Sequence, residues 1–68
     1  MKRKRDTASL MDSAERTAHA LGYGGFSVRE AVETARPLAA RSGLPHWYVR
    51  RQLARAARDG AASLEMER

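Results

Sequence analysis

The shortage of large apolar side chains is the feature that most constrains how this chain of 68 residues folds. At about 70 residues, a single apolar core supplies little net stability by itself. The core of this chain must therefore be thin and lined with alanine, and a partner, a second copy or nucleic acid is one way to complete it. Most of the larger apolar residues are Leu10, Met11, Leu21, Phe26, Val28, Val32, Leu38, Leu44, Val49, Leu53 and Leu64.

The first third of the chain has the apolar spacing of an amphipathic helix. Between Thr7 and Leu21, apolar residues recur at intervals of three and four, which places them on one helical face. Asp6 or Thr7 is the predicted N-cap, and Gly22 is the predicted stop. The apolar set of this helix is Leu10, Met11, Ala14, Ala18 and Leu21.

A glycine-rich turn and a capping pattern precede the second helix. The stretch GYGGF (22–26) is dominated by glycine, so we expect a turn from which Tyr23 and Phe26 fold inward. Ser27 and Glu30 then match the S-x-x-E capping box, in which each side chain satisfies a free backbone amide at a helix start. The second helix is therefore predicted to begin directly after Ser27.

Proline and glycine divide the second half of the chain. Pro37 is predicted to end the second helix and to open a short helix that reaches about Arg41. A tight turn follows at residues 43–45, because glycine and proline bracket a single leucine there. Proline suits the first turn of a helix, so the last long helix is predicted over residues 45–59, where Gly60 stops it.

Positive charge is concentrated in two segments of the sequence. The net charge is +5, yet residues 6–35 carry five acids against two arginines. Residues 1–5 hold four positive charges, and residues 44–58 hold four more without an acid. This distribution favours an anionic partner that meets the basic start and one later segment.

Several classes of function are excluded at this stage. The chain has no cysteine and only two histidines, His19 and His46, so neither a metal site nor a cofactor is expected. Glu30 and Glu33 are read as a solvated helix face because no nucleophile or phosphate loop accompanies them, and no enzyme is predicted. No apolar run approaches the ~18 residues of a membrane span, which leads us to expect a soluble, cytoplasmic protein of bacterial or phage origin.

A helical wheel of the last helix separates an apolar side from a basic side. With Val49 placed toward the core, His46, Leu53 and Ala56 lie on the same side. Trp47 is then predicted to point outward among arginines, the alternative being that it folds back onto the thin core. The outward side and its flanks comprise Trp47, Tyr48, Arg50, Arg51, Ala54, Arg55 and Arg58.

The stretch PLAARSGLPHWYVRRQL (37–53) resembles the helix-turn-helix of bacterial regulators, particularly the winged-helix regulators of the MarR and IclR type. In this resemblance glycine forms the sharp turn and proline opens the second helix. QLARAARDG (52–60) looks like the end of a recognition helix that leads to a wing. The remaining matching positions are Leu38, Ala39 and Leu44 as inward residues, and Val49 and Leu53 facing the first helix.

A weaker resemblance concerns the first half of the chain. Residues 13–35 are similar to the opening helix, glycine-rich corner and following helix of the DNA-binding domain of TetR-type repressors. Only eight residues follow Gly60, too few for a complete two-stranded wing. The expected fold is therefore an all-α bundle of three or four helices with a helix-turn-helix in residues 7–60. Residues 1–6 are expected to be a basic flexible arm, and residues 61–68 a short tail that frays, forms a truncated wing or pairs with residues 26–28 as a strand.

Two functions remain open from the sequence. In the first, the protein is a small transcriptional regulator that binds duplex DNA, as the resemblance implies, and a homodimer is one form of it. In the second, it is a phage-type modulator that docks on a host protein such as RNA polymerase through the aromatic pair. Arginine and exposed aromatic side chains serve both uses. The residues expected to bind DNA or the partner are Trp47, Tyr48, Arg50, Arg51, Arg55 and Arg58 with the arm residues Lys2, Arg3, Lys4 and Arg5, although the arm is equally well read as a solvated tail.

Overall fold

The computed structural model describes the backbone of residues 2–68 and the side chains from Thr7 onward. Every regular element in residues 2–68 is helical, so the predicted all-α fold is confirmed. The strand pairing considered for residues 26–28 and the tail is wrong, because the tail is part of a helix. The elements are α1 (Lys2–Tyr23), α2 (Val28–Ala35), the 3₁₀ helix η1 (Arg36–Ser42) and α3 (His46–Glu67).

Helix α1 begins earlier than the sequence predicted. Its backbone is helical from Lys2, so the chain passes through Asp6 and Thr7 without the N-cap expected there. The side chains of the predicted basic arm, Lys2 to Arg5, lie outside the described residues. The backbone of these residues nevertheless continues the axis of α1, which fixes the end of the molecule at which they lie.

Helices α1 and α3 run side by side in the same direction. Thr7 and Ala8 near the start of α1 lie beside Trp47 near the start of α3. Toward the other end, the Tyr23 hydroxyl donates a hydrogen bond to the Glu67 carboxylate. The starts of both helices therefore share one end of a molecule that is 44 Å long.

Two glycines allow these helices to approach each other. A Cβ at Gly22 would overlap the backbone of Ala57, and a Cβ at Gly60 would overlap the backbone of His19. Gly60 is buried inside α3, and the helix continues to Glu67. The predicted stop at Gly60, with a tail or wing beyond it, is therefore wrong, because this glycine serves helix packing.

The core has the thin, alanine-rich character that the composition predicted. Leu53 is the largest fully buried side chain in the described part of the chain. Small residues fill most of the remaining interior, so backbone approach replaces bulky side chains as the means of excluding water. The buried apolar residues are Met11, Ala14, Ala18, Ala31, Val32, Ala35, Ala39, Val49, Leu53 and Ala57.

Local hydrogen bonds fix the start of α2. The Glu30 amide donates to Ser27 Oγ at 3.1 Å, and the Ser27 amide donates to Glu30 Oε1 at 3.3 Å. The predicted capping box is thus confirmed.

The turn between η1 and α3 is held by Gly43 and Ser42. Gly43 has a φ of 78°, a left-handed conformation that glycine adopts readily and that forms the turn expected at residues 43–45. Ser42 Oγ donates to the Ala39 carbonyl at 2.7 Å and accepts from the Leu44 amide at 3.3 Å. Thr7 Oγ1 donates to the Ser42 carbonyl at 3.2 Å, which ties α1 to the turn.

Several side chains predicted to face inward are exposed instead. In a 3₁₀ helix residues three apart align, and η1 buries Ala39 and Ser42, which leaves Leu38 44% exposed. His46 is the first residue of α3, and its side chain is exposed. Tyr23 is the last residue of α1 and Phe26 lies in the turn that follows, and both side chains are exposed. On α3, Ala57 is fully buried, whereas the predicted Ala56 is only partly covered.

Candidate interaction surface on the last helix

Three exposed arginines line the solvent side of α3. Arg51, Arg55 and Arg58 lie opposite the buried residues Val49 and Leu53, as the helical wheel predicted. None of the three pairs with an acid among the side chains from Thr7 to Arg68. We call this set the arginine face, and its three guanidinium groups remain available to an external anion.

Arg50 is oriented differently from its neighbours. Its Nη2 lies 3.4 Å from Glu33 Oε2, and Arg36 Nη2 lies 3.2 Å from the other oxygen of the same carboxylate. Arg50 therefore links α3 to α2, and Glu33 partly neutralises its charge. The structure thus separates Arg50 from the arginine face, although the sequence grouped them together.

Trp47 lies on the surface at the start of α3. Its side chain is 65% exposed, which confirms the predicted outward orientation and excludes the alternative in which it completes the core. Tyr48 is partly buried and supports it, with the ring centroids 5.9 Å apart and the ring planes perpendicular. Edge-to-face pairs of this kind are favourable, so the indole is held in place while most of its surface stays open.

A shallow apolar depression lies beside Trp47. It has a volume of about 400 Å³ and lies at the end of the molecule where α1 and α3 begin. Sequence reasoning missed it, because it forms only when α1 is packed parallel to α3 across the η1–α3 turn. Its lining consists of Thr7, Ala8, Met11, Leu44, Pro45, Trp47 and Tyr48.

The basic start of the chain belongs to the same end of the molecule. Residues 2–5 form the beginning of α1, directly ahead of Thr7, which bonds to Ser42 at the turn. The opposite end is richer in acids, with Glu65 and Glu67 near the end of α3. There the hydrogen bond to Glu67, followed by the charge of that carboxylate, raises the pKa of the Tyr23 hydroxyl.

Other kinds of site find no support in the described residues. Among the side chains from Thr7 to Arg68, no cluster of three or more histidine, aspartate or glutamate residues is placed to hold a metal ion. In the described backbone of residues 2–68, no helix has the length and apolarity needed to cross a membrane. Comparisons with protein-family models, with curated proteins and with solved structures find no match to this chain. The surface of α3 is therefore interpreted from its own geometry and charge.

Proposed function

We propose that this protein is a small transcriptional regulator that binds duplex DNA through α3. The observation that carries the proposal is the arginine face, where Arg51, Arg55 and Arg58 are exposed without an ion-pair partner among the described side chains. Exposed guanidinium groups on one helical side contact phosphates and pair with guanine edges in the major groove. The left-handed turn at Gly43, immediately before α3, supports the same assignment.

The charge distribution along α3 sets the orientation of the proposed complex. The arginines of α3 lie between Arg50 and Arg58, the fifth and thirteenth of its 22 residues, whereas Asp59, Glu65 and Glu67 follow them. A helix of 22 residues is about 33 Å long. The end of α3 that carries Glu65 and Glu67 therefore has to lie away from the phosphates while the part that carries the arginines enters the groove. Trp47 and Tyr48 then meet the DNA surface, and Lys2 to Arg5 follow its backbone.

A second copy of the chain would add to a core that is thin, since Leu53 is the largest fully buried side chain in the described part of the chain. A homodimer would also double the number of recognised bases, so we include it in the proposal.

Binding to mixed-sequence duplex DNA across a range of salt concentrations tests the proposal. The variant R51Q/R55Q/R58Q should bind more weakly, and its log K should fall less steeply with log salt, by up to about 2.7 in slope for three lost phosphate contacts. The matched control R16Q/R29Q/R68Q removes the same charge from other parts of the surface. Equal losses in both variants would show that only net charge matters, and wild-type binding without salt dependence would overturn the proposal.

A protein partner is the second candidate function, and the depression beside Trp47 favours it. An exposed tryptophan next to an apolar hollow is typical of an interface hot spot. The partner's own large apolar side chain would fill the hollow, and its acids would meet the arginines. In this case the salt-dependent DNA binding is absent, and Trp47→Ala abolishes capture of the partner, while Arg58→Gln weakens it only slightly because its charge would lie at the exposed rim of the interface.

A further inference from the structure

We propose that copies of this chain associate head to tail, with Met66 of one copy in the depression beside Trp47 of the next. We call the end where α1 and α3 begin the starting end, and the end where both helices finish the far end. The inference goes beyond the proposed DNA binding and stands without it. Because the proposed complex with DNA also uses Trp47, DNA and a neighbouring copy would compete for that side chain.

The far end carries a group of exposed apolar side chains. Among the described side chains five large hydrophobic ones are exposed, and three of them lie at this end: Tyr23, Phe26 and Met66. Met66 is 86% exposed in the last turn of α3, and Ala62, four residues earlier on the same side of the helix, is also exposed. Single exposed apolar side chains are common, but a group of them at one end indicates an interaction surface.

The depression at the starting end is matched to a methionine side chain. Its lining is mostly apolar and includes the aromatic rings of Trp47 and Tyr48. Methionine is unbranched and flexible, so it fills irregular hollows, and its sulfur makes favourable contacts with aromatic rings. Burial of such a side chain changes an equilibrium constant by about 10- to 100-fold. Met66 therefore supplies the apolar part of the junction.

The helices are staggered so that the two ends have complementary shapes. At the far end, Gly60 packs against the backbone of Tyr23, the last residue of α1, so residues 61–67 extend about 10 Å past α1. At the starting end, Thr7 lies level with the beginning of α3, so residues 2–6 extend about 7 Å ahead of α3. Each end is therefore a step, and the projecting part of α3 in one copy fits beside the projecting part of α1 in the next.

The formal charges of the two ends are opposite. Residues 2–6 carry four basic side chains and one acid, a net charge of +3, whereas residues 65–68 carry two glutamates and one arginine, a net charge of −1. Arg29 and Glu30, at the start of α2, add no net charge to the far end. Glu67 accepts its hydrogen bond from a neutral hydroxyl, so its carboxylate keeps its charge. Head-to-tail contact therefore joins opposite charges, whereas contact between two starting ends would bring two basic segments together.

The proposed junction is small and does not close on itself. Each pair of copies keeps one free starting end and one free far end, so that further copies add to it. The Cα atoms span only 18 × 14 Å across the molecule, so the ends meet over less than a standard interface area. We therefore expect weak association, with a dissociation constant of about 10–100 μM.

Sedimentation velocity of the full chain without DNA, from about 10 μM to about 1 mM, tests the inference. We expect the average mass to rise from 7.6 kDa with concentration and to pass twice that value, because the junction does not close. The emission of Trp47, the one tryptophan, should shift to the blue over the same range, and about 1 M salt should weaken association. A monomer throughout this range would overturn the inference, as would growth that stops at two copies.

A pair of matched variants examines the role of Met66. Met66→Gln and Leu38→Gln each replace an exposed apolar side chain with an amide, but Leu38 lies on η1 and outside the lining of the depression. M66Q should weaken association by at least about tenfold, whereas L38Q should associate like the wild type. Equal association by M66Q and the wild type would refute the assignment of Met66, and so would equal losses in the two variants.

Mixing two variants separates a head-to-tail junction from a symmetric one. M66Q keeps an intact starting end and Trp47→Ala keeps an intact far end, so each variant alone should be a monomer while the mixture forms pairs. The indole, which only M66Q retains, should then shift its emission to the blue. Failure of the mixture to pair would refute the head-to-tail arrangement. DNA is absent from all these measurements, so their failure leaves the proposed function untouched.

Discussion

Replacing Gly60 with alanine should stabilise the protein if Gly60 lies in an ordinary helix interior, and destabilise it if Gly60 is packed against α1. In an ordinary helix interior, glycine to alanine stabilises by about 1 kcal/mol because alanine has the higher helix propensity. At Gly60, however, the added Cβ would meet the carbonyl oxygen of His19 and the backbone nitrogen of Tyr23 well inside van der Waals distance. Both obstacles are backbone atoms that cannot rotate away, so α1 and α3 would have to move apart.

The loss of stability can be estimated from the core residues whose packing would loosen if α1 and α3 moved apart. Ala18, Leu53 and Ala57 all have 0% exposure in the core that the two helices share. Overpacking of such a core costs up to about 3 kcal/mol, and the propensity gain of about 1 kcal/mol leaves a net loss of about 2 kcal/mol. A chain of 68 residues has a total stability of about 3–10 kcal/mol. The melting temperature should therefore fall by about 8–16 °C.

Thermal and urea unfolding followed by circular dichroism measure this loss. Ala62→Gly is the matched control, because Ala62 is exposed two positions further along the same helix and lacks the close approach. It should cost about 1 kcal/mol through propensity alone. If G60A raised the melting temperature, Gly60 would lie in open surroundings and the close packing of α1 on α3 would be refuted.

Three further tests examine other parts of the structure by the same unfolding measurements, and the third adds binding and fluorescence. Leu53→Ala should cost about 2–5 kcal/mol because Leu53 is fully buried, whereas Leu38→Ala should cost less than about 1 kcal/mol; similar losses would contradict the 3₁₀ assignment of η1. Gly43→Val should destabilise by about 1–3 kcal/mol because of the positive φ, and Gly43→Asn should be better tolerated; an unchanged melting temperature for G43V would remove the left-handed turn. Trp47→Ala should change the free energy of unfolding by less than about 1 kcal/mol and should weaken partner binding. The tryptophan fluorescence of the wild type should be that of an exposed indole. A blue-shifted emission that no partner changes would contradict the surface position of Trp47.

The correctly predicted parts of the fold depend on neighbouring residues. Ser27 and Glu30 satisfy each other across three positions, and Gly43 adopts its left-handed conformation within a single turn. Val49 and Leu53 are one helical turn apart, so their burial follows from periodicity once the helix exists. Local sequence patterns of this kind predict the structure of a segment without information about the rest of the chain.

The wrong predictions depend on contacts between distant segments. Considered with its sequence neighbours alone, Gly60 is a typical helix stop. Its packing role appears only because the backbone of α1 lies directly against it. Leu38 was placed inward by its resemblance to a helix-turn-helix, but the tighter winding of η1 turns it outward. The tail was too short and too weakly amphipathic to predict as a continuation of α3.

Some features of the candidate surface could also be predicted from neighbouring residues, whereas others depend on contacts between distant segments. The outward orientation of Trp47 and the arginine face follow from the helical wheel of α3 alone. The pairing of Arg50 with Glu33 requires α2 to lie beside α3. The depression beside Trp47 likewise forms between α1 and α3, which are far apart in sequence. Neither the pairing nor the depression could be predicted from local periodicity.

The parallel arrangement of α1 and α3 has an electrostatic consequence for the molecule as a whole. Peptide dipoles of two antiparallel helices cancel, but those of two parallel helices add, which places a partial charge of about +0.5 per helix at the shared starting end. The formal charges reinforce this polarity, with four basic residues in 2–5 at that end and a net charge of −1 from Glu65, Glu67 and Arg68 at the other. In the field of a polyanion, a rod 44 Å long with this polarity experiences a torque that turns its basic end forward before contact. Its association rate should therefore depend on ionic strength through orientation as well as through attraction.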